Sequence, residues 1–215
     1  MNVDPALAAR LIDQENRFGA PSDHPQEVVL TRADGVYVWD VEGNRYLDCS
    51  TGGGAVNQGH NHTRIAAAMV EQCLRLSLGS RHYRNDRLPP FLEKLCTLLG
   101  FDQALLLGTG AEAVETALRA ARKWGYEYKG IAPGKAELLA FTGNYHGHTT
   151  TLLSCSDTAE LTTGFGPFTP GFRLLRYGDL AAVKAAVGPR TCAILVEPVQ
   201  GEYGVRVPPK GFLRG

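Results

Sequence analysis

From residue 104 onward the chain alternates short apolar runs with helical segments, and this rhythm constrains its fold more than any other feature. Residues 104–107, 137–142, 173–176 and 192–196 read as strands. Residues 111–124 and 180–187 place apolar side chains at helical spacing. Strands separated by helices argue for a parallel sheet with helices packed against it. Ligands of such sheets collect beyond the carboxyl ends of the strands, so the loops that follow the strands are where chemistry is to be sought.

The preceding half of the chain reads differently. Residues 6–16 carry Leu7, Leu11 and Ile12 at helical spacing, and a turn-rich stretch, 19–25, follows. Residues 36–40 and 45–49 are β-type runs joined by a turn containing Gly43, which predicts a hairpin. Residues 65–76 and 89–99 each show one apolar helical face. The expected organisation is a small α+β segment over residues 1–60, carrying the hairpin, followed by a large α/β domain over 61–215.

The chain's 215 residues suffice for one core that buries roughly 70% of the unfolded surface. Its 22 basic and 22 acidic side chains give a formal net charge of zero, which disfavours nucleic-acid binding and a polybasic membrane surface. The five cysteines, Cys49, Cys73, Cys96, Cys155 and Cys192, are odd in number and form no CxxC pair, so buried free thiols in a reducing compartment are expected. The N-terminus has no apolar signal region, and no run approaches the roughly 18 apolar residues of a membrane span. A cytoplasmic location without membrane association is the expectation.

Three loops carry candidate chemistry. In the first, residues 107–113, a strand turns through Gly108 and Gly110 into a helix, and Thr109 with Glu112 forms a capping box. The backbone N–H groups of Gly110 and Ala111 are then left for an anion, and the helix dipole favours a phosphate there. The same residues also read as a well-capped turn with no ligand. They do not make a dinucleotide fingerprint, because no acidic residue ends the next strand at Thr142. In the second loop, residues 143–149, Tyr145 could stack on a planar ring and His146 and His148 flank Gly147. A metal held by the two histidines would need further ligands, and no acidic cluster or third histidine lies nearby in sequence. These residues also read as surface groups of a loop. The third loop, 196–204, supplies Glu197 at a strand end and Glu202 between glycines, carboxylates suited to acid–base work or to pairing with a cation.

Several motifs in order are together far more specific than any one of them. GTGAEAVETALRAARKWGYEYKGI (108–131), NYHGHTTTLLSCSD (144–157), GFGPFTPGF (164–172) and ILVEPVQGEYGV (194–205), preceded by DGVYVWDVEGNRYLDCSTGGGAVNQGHNH (34–62), strongly resemble the class III pyridoxal-phosphate-dependent aminotransferases of fold type I. Within that class the chain is most similar to the ornithine aminotransferases, through AVNQGHNH, ARKWGYEYKGI and GFGPFTPGF. The resemblance implies an α/β fold with a mainly parallel sheet, residues 61–215 being an incomplete cofactor-binding large domain. It implies pyridoxal 5'-phosphate (PLP) as cofactor and transfer of an amino group to a 2-oxo acid. Gly110 and Ala111 match the phosphate cradle, and Tyr145 matches the residue stacked on the pyridine ring. His146 falls with the cofactor contacts, Glu197 and Gln200 match the loop that orients the ring and its phenolic oxygen, and Glu202 matches a gate glutamate that pairs with an arginine.

On the substrate side the chain departs from the ornithine aminotransferases. Phe18 and Gly53 stand where they carry tyrosines, and His148 stands where they carry an arginine whose fork grips the α-carboxylate. Ornithine or a related amine or ω-amino acid is therefore the expected donor. The resemblance also implies a Schiff-base lysine and an aspartate at the pyridine nitrogen, both C-terminal to the matched motifs. None of Lys94, Lys123, Lys129, Lys135, Lys184 and Lys210 lies in a segment like the family's lysine site, so no catalytic residue is assigned. The expectation is the N-terminal portion of an enzyme that acts with a C-terminal portion, as a homodimer or with a complementing chain. The alternative is a non-catalytic remnant or interaction module that keeps part of the fold.

Overall fold

The computed structural model describes residues 6–20, 25–80 and 82–215. Part of the turn-rich stretch expected at 19–25 lies outside the described residues. The chain forms two compact units, Met1–Glu93 and Lys94–Gly215.

The first unit contains α1 (Leu7–Phe18), the strands β1 (Leu30–Asp34), β2 (Tyr37–Asp40) and β3 (Arg45–Leu47), and α2 (Thr63–Leu76). The predicted hairpin is β2–β3, antiparallel, and β1 adds to it as a third strand that the sequence pattern did not announce. Val38 is buried on β2, whereas neither α1 nor α2 buries a residue.

The buried carboxylate of Asp40 organises the hairpin turn. It accepts hydrogen bonds from the Tyr46 hydroxyl at 2.7 Å, the Asn44 side-chain amide at 2.9 Å, and the backbone N–H groups of Asn44 at 2.8 Å and Glu42 at 2.9 Å. Burial works to raise its pKa, but these four donors together outweigh burial and hold it down at about 2. A carboxylate depressed in the folded state contributes stability above its ordinary value of 3.8, and that contribution is lost as pH falls toward 2. Acid titration followed by fluorescence of the neighbouring Trp39 is expected to show the hairpin loosening in that window. Asp40→Asn is expected to weaken the hairpin at neutral pH and flatten the acid transition; an acid transition unchanged by the substitution would contradict the assignment.

Helix α3 (Leu88–Leu99) runs across the boundary of the two units in sequence. The second unit continues with α4 (Gly110–Glu127), β4 (Glu137–Phe141), the short helices α5 (Thr150–Leu153) and α6 (Ala159–Thr162), β5 (Phe172–Leu175), α7 (Leu180–Ala186) and β6 (Thr191–Ile194). The expected parallel sheet forms, in the order β5-β4-β6. β4 is its centre, so both of its edges are hydrogen-bonded; its two faces are covered as well, successive side chains going to opposite faces. Leu138 packs with Leu118, Ile131, Leu152 and Cys192 on the α4 side. Leu139 and Phe141 pack with Leu175, Val183, Ala186 and Phe212 on the α7 side.

Three expectations are corrected. Residues 104–107 form no strand, and Leu105 and Leu106 are exposed. An apolar run becomes a strand only with a ladder partner, and none pairs with it among the described residues. In place of one core there are two apolar clusters, both in the second unit. All five thiols are free, but only Cys155 and Cys192 are buried; Cys49 and Cys73 are exposed and Cys96 is partly so. Cys73 sits on α2, a helix without a buried residue, so its burial could not follow from residue type. Among the described residues no helix is long and apolar enough to cross a membrane.

Candidate functional site

The site is built at the carboxyl end of the β5-β4-β6 sheet, where the loop after β4 meets the start of α4 on one side and the loop after β6 on the other. The helix starts where the sequence places it. The Glu112 N–H donates to Thr109 Oγ1 at 3.1 Å, and the Thr109 N–H donates back to Glu112 Oε2 at 2.9 Å, completing the capping box. With Thr109 and Glu112 engaged, Gly110 and Ala111 form the first turn at the positive end of an 18-residue helix. A Cβ built on Gly110 would meet nothing within 4 Å, so the approach to this end is open.

The loop after β4 is fixed from beneath. Asn144 is buried and its side-chain amide donates to the carbonyls of Phe141 and Cys155. The Gly143 N–H donates to Asp157 Oδ1 at 2.9 Å. Gly147 presses against α4, its Cα hydrogen facing the Ala111 side chain. Thr149, the cap of α5, donates its hydroxyl to Glu115 Oε1 on α4 at 2.5 Å. Between these anchors Tyr145 is half-exposed, its ring edge-on to His148 with centroids 5.3 Å apart. Burial pushes the pKa of His146 down, disfavouring its charged form, and its Nε2 is buried without a hydrogen-bond partner.

The loop after β6 closes the third side. Glu197 Oε2 accepts the Tyr145 N–H at 3.1 Å and so joins the two loops. Burial raises the Glu197 pKa; the Tyr145 N–H works against that, and the Glu202 charge adds to it. Gln200 is 1% exposed. Its Nε2 donates to Thr142 O at 3.0 Å, its backbone exchanges two hydrogen bonds with Arg206, and its Oε1 is buried without a partner. The Arg206 guanidinium lies over Gly143, close enough that a Cβ there would stand 2.7 Å from Nη1.

The predicted residues Gly110, Ala111, Tyr145, His146, His148, Glu197 and Gln200 thus gather at one end of one sheet. Glu202 is exposed near Glu197 and touches it only through its charge. Phe18, at the end of α1, and Gly53, with positive φ in the segment after β3, belong to the first unit. Asn144 and Asp157 lie in the 144–157 motif but have no role assigned by it, and Arg206 and Tyr177 carry no sequence signal; all four support the site, Tyr177 by donating its hydroxyl to Glu197 O and Pro198 O. A hollow of about 720 Å³ along α2, lined by Gln58, Ile65, Met69 and Cys73, contains none of these residues. Chemically, the assembled end can hold an anion on the first turn of α4, face a planar ring with Tyr145, and offer two buried polar atoms, His146 Nε2 and Gln200 Oε1, to a ligand.

Comparison with known proteins agrees with this geometry. Residues 18–215 match the family Aminotransferase class-III. The chain is 51% identical over 211 residues to the ornithine aminotransferase of Bordetella pertussis, covering 98% of this chain and 51% of that protein. Its fold superposes on an ornithine aminotransferase from Toxoplasma gondii, in which PLP partially occupies the active site, with a TM-score of 0.95 at 39% identity, covering 99% of this chain and 50% of that one. It also superposes on the acetylornithine aminotransferase of Elizabethkingia anophelis with a TM-score of 0.82 at 47% identity, covering 96% of this chain and 51% of that one. The chain spans about half the length of the curated relatives it matches.

Proposed function

Because the chain belongs to the class-III aminotransferases, we propose that it carries the cofactor-holding part of a PLP-dependent transaminase that moves an amino group from ornithine, or a related amine or ω-amino acid, to a 2-oxo acid. The observation that carries this reading is the convergence of the α4 N-terminus with the loops after β4 and β6. When bound, PLP supplies an electron-accepting ring that the protein itself lacks. The residues present fit such a group: an open helix N-terminus suits its phosphate, and two unpartnered buried polar atoms suit its ring substituents.

In this reading the N–H groups of Gly110 and Ala111 bind the phosphate, the Tyr145 ring covers one face of the pyridine, and His146 and Gln200 contact the cofactor through Nε2 and Oε1. Glu197 holds Tyr145 in place through its backbone N–H. His148 and Glu202, both in the second unit, face the substrate in this reading. An imidazole at His148 cannot make the two-pronged contact with a carboxylate that a guanidinium fork makes, which favours donors that place less demand on that contact. The protein is a cytoplasmic homodimer in this proposal, or pairs with a chain that supplies the remaining portion.

The test is complementation. The 215-residue chain is purified alone and together with the C-terminal half of the Bordetella pertussis relative, and PLP uptake is read from its visible absorbance band. A band and ornithine-dependent amino transfer to a 2-oxo acid are expected in the assembled pair. A pair that assembles by size-exclusion chromatography yet takes up no PLP would overturn the proposal in favour of a non-catalytic module.

A further inference from the structure

We propose that Tyr177 is a positioning residue for the site, acting through Glu197 on the backbone of Tyr145. Tyr177 follows β5 by two residues and lies 32 positions beyond Tyr145, on a different strand's exit. Its ring is locked in the apolar cluster on the α7 face. It stands edge-on to Phe141, with centroids 5.9 Å apart at 78°, and to Phe212, at 5.8 Å and 69°; Phe141 and Phe212 meet each other at 5.5 Å and 77°. Three mutually tilted rings leave little freedom to any of them.

From this fixed ring the hydroxyl reaches the loop after β6. It donates to Glu197 O at 2.9 Å and lies 3.2 Å from Pro198 O, so its single proton is shared between two successive carbonyls with the nearer one favoured. The peptide that carries Glu197 is thereby held from below. The Glu197 side chain then accepts the Tyr145 N–H at 3.1 Å. The links run in series from the rigid core to the carbonyl of Glu197, from its carboxylate to the amide of Tyr145, and so to the ring that faces a ligand.

Glu197 is a poor anchor unless its backbone is fixed. Burial disfavours its charge and Glu202 repels it, so an untethered loop would relax toward solvent and release the Tyr145 amide. Tyr177 opposes that relaxation with a hydrogen bond that costs little side-chain entropy, because packing has already immobilised the ring.

The consequence for PLP rests on the transaminase reading above, but the relay itself does not, and the experiment separates them. In the 215-residue chain without cofactor, amide hydrogen exchange at Tyr145 reports the Glu197 bond directly. Tyr177→Phe keeps the ring packing and removes only the hydroxyl; it is expected to speed exchange at Tyr145 by about twofold to tenfold, the size of one neutral hydrogen bond. Glu197→Ala should do the same, and the double variant should add nothing to Glu197→Ala alone. Glu197→Gln, which keeps an acceptor oxygen, should restore most of the protection. If Tyr177 serves packing alone, Tyr177→Phe, which keeps the ring contacts, will leave exchange at Tyr145 unchanged, and the proposal falls. Additive single effects would also overturn it. In the complemented pair, Tyr177→Phe should weaken PLP binding by a similar factor. If the wild-type pair binds no PLP the transaminase reading fails, while the exchange results still decide the relay.

Discussion

Replacing Gly147 with alanine is expected to separate the loop after β4 from the first turn of α4 and to weaken cofactor binding at least about tenfold, which corresponds to a loss of about 1.4 kcal/mol. Gly147 has φ +120, a backbone conformation that side chains strain to adopt. A Cβ there would stand 2.9 Å from Leu152 Cδ1 and 3.0 Å from Ala111 Cβ. Neither neighbour can yield cheaply: Leu152 is fully buried in the cluster around Leu138, and Ala111 is in the first turn of a capped helix. Overpacking of this kind costs about 1–3 kcal/mol, and a strained backbone adds about as much. The loop relieves the clash by lifting off α4, carrying Tyr145 and His148 with it. Far-UV circular dichroism should change little while PLP titration of the complemented pair shifts. Gly188→Ala is the control, since a Cβ there meets nothing within 4 Å. Equal PLP affinity in the Gly147 and Gly188 variants would show that the contact between loop and helix has no part in binding.

The second large effect belongs to the core. Leu138→Ala is expected to destabilise the second unit by about 2–5 kcal/mol, the range for truncating a buried leucine. Leu138 is 0% exposed, lies on the central strand, and pairs across to Phe172 on one side and Ala193 on the other. The space it would vacate is lined by Leu118, Ile131, Leu152 and Cys192. A domain of ordinary stability has about 5–15 kcal/mol in total, so this one substitution removes a large fraction. Urea unfolding should show a lower midpoint with an unchanged slope. Leu74→Ala, on α2 where the side chain is 85% exposed, should stay within about 0.5 kcal/mol of wild type. Equal effects at the two leucines would mean that the core lies elsewhere.

Hydrophobic periodicity revealed faces but not partners. The alternation of residues 137–142, 173–176 and 192–196 with helices predicted a parallel sheet because burial on both faces leaves continuous apolar runs. Residues 104–107 have the same composition and were read the same way, yet a ladder depends on a neighbouring strand that no local pattern encodes. Strand β1, Leu-Thr-Arg-Ala-Asp, escaped notice for the opposite reason: its side chains are largely exposed and show no strong alternation. In the site, Thr109 and Glu112 were legible because capping works at a fixed spacing. Tyr145, Glu197 and Gln200 were legible because strand ends place loops over a sheet, and the family resemblance gave them roles. Tyr177 and Asp157 were not. Each acts through a side-chain bond to a backbone group 14 to 21 residues away, and a bond of that kind leaves no trace in spacing.

The burial of both faces of β4 also dictates an order of events during synthesis. Its α4 face can be lined first, because α4 precedes the strand, but the opposite face waits for α7 and then for Phe212. A ribosome adds roughly 5–20 residues per second, so on the order of 4–15 s pass between the emergence of Glu137 and that of Phe212. Until that interval ends the cover over Leu139 and Phe141 is incomplete, and these apolar side chains are natural points of engagement for a chaperone that grips exposed apolar segments.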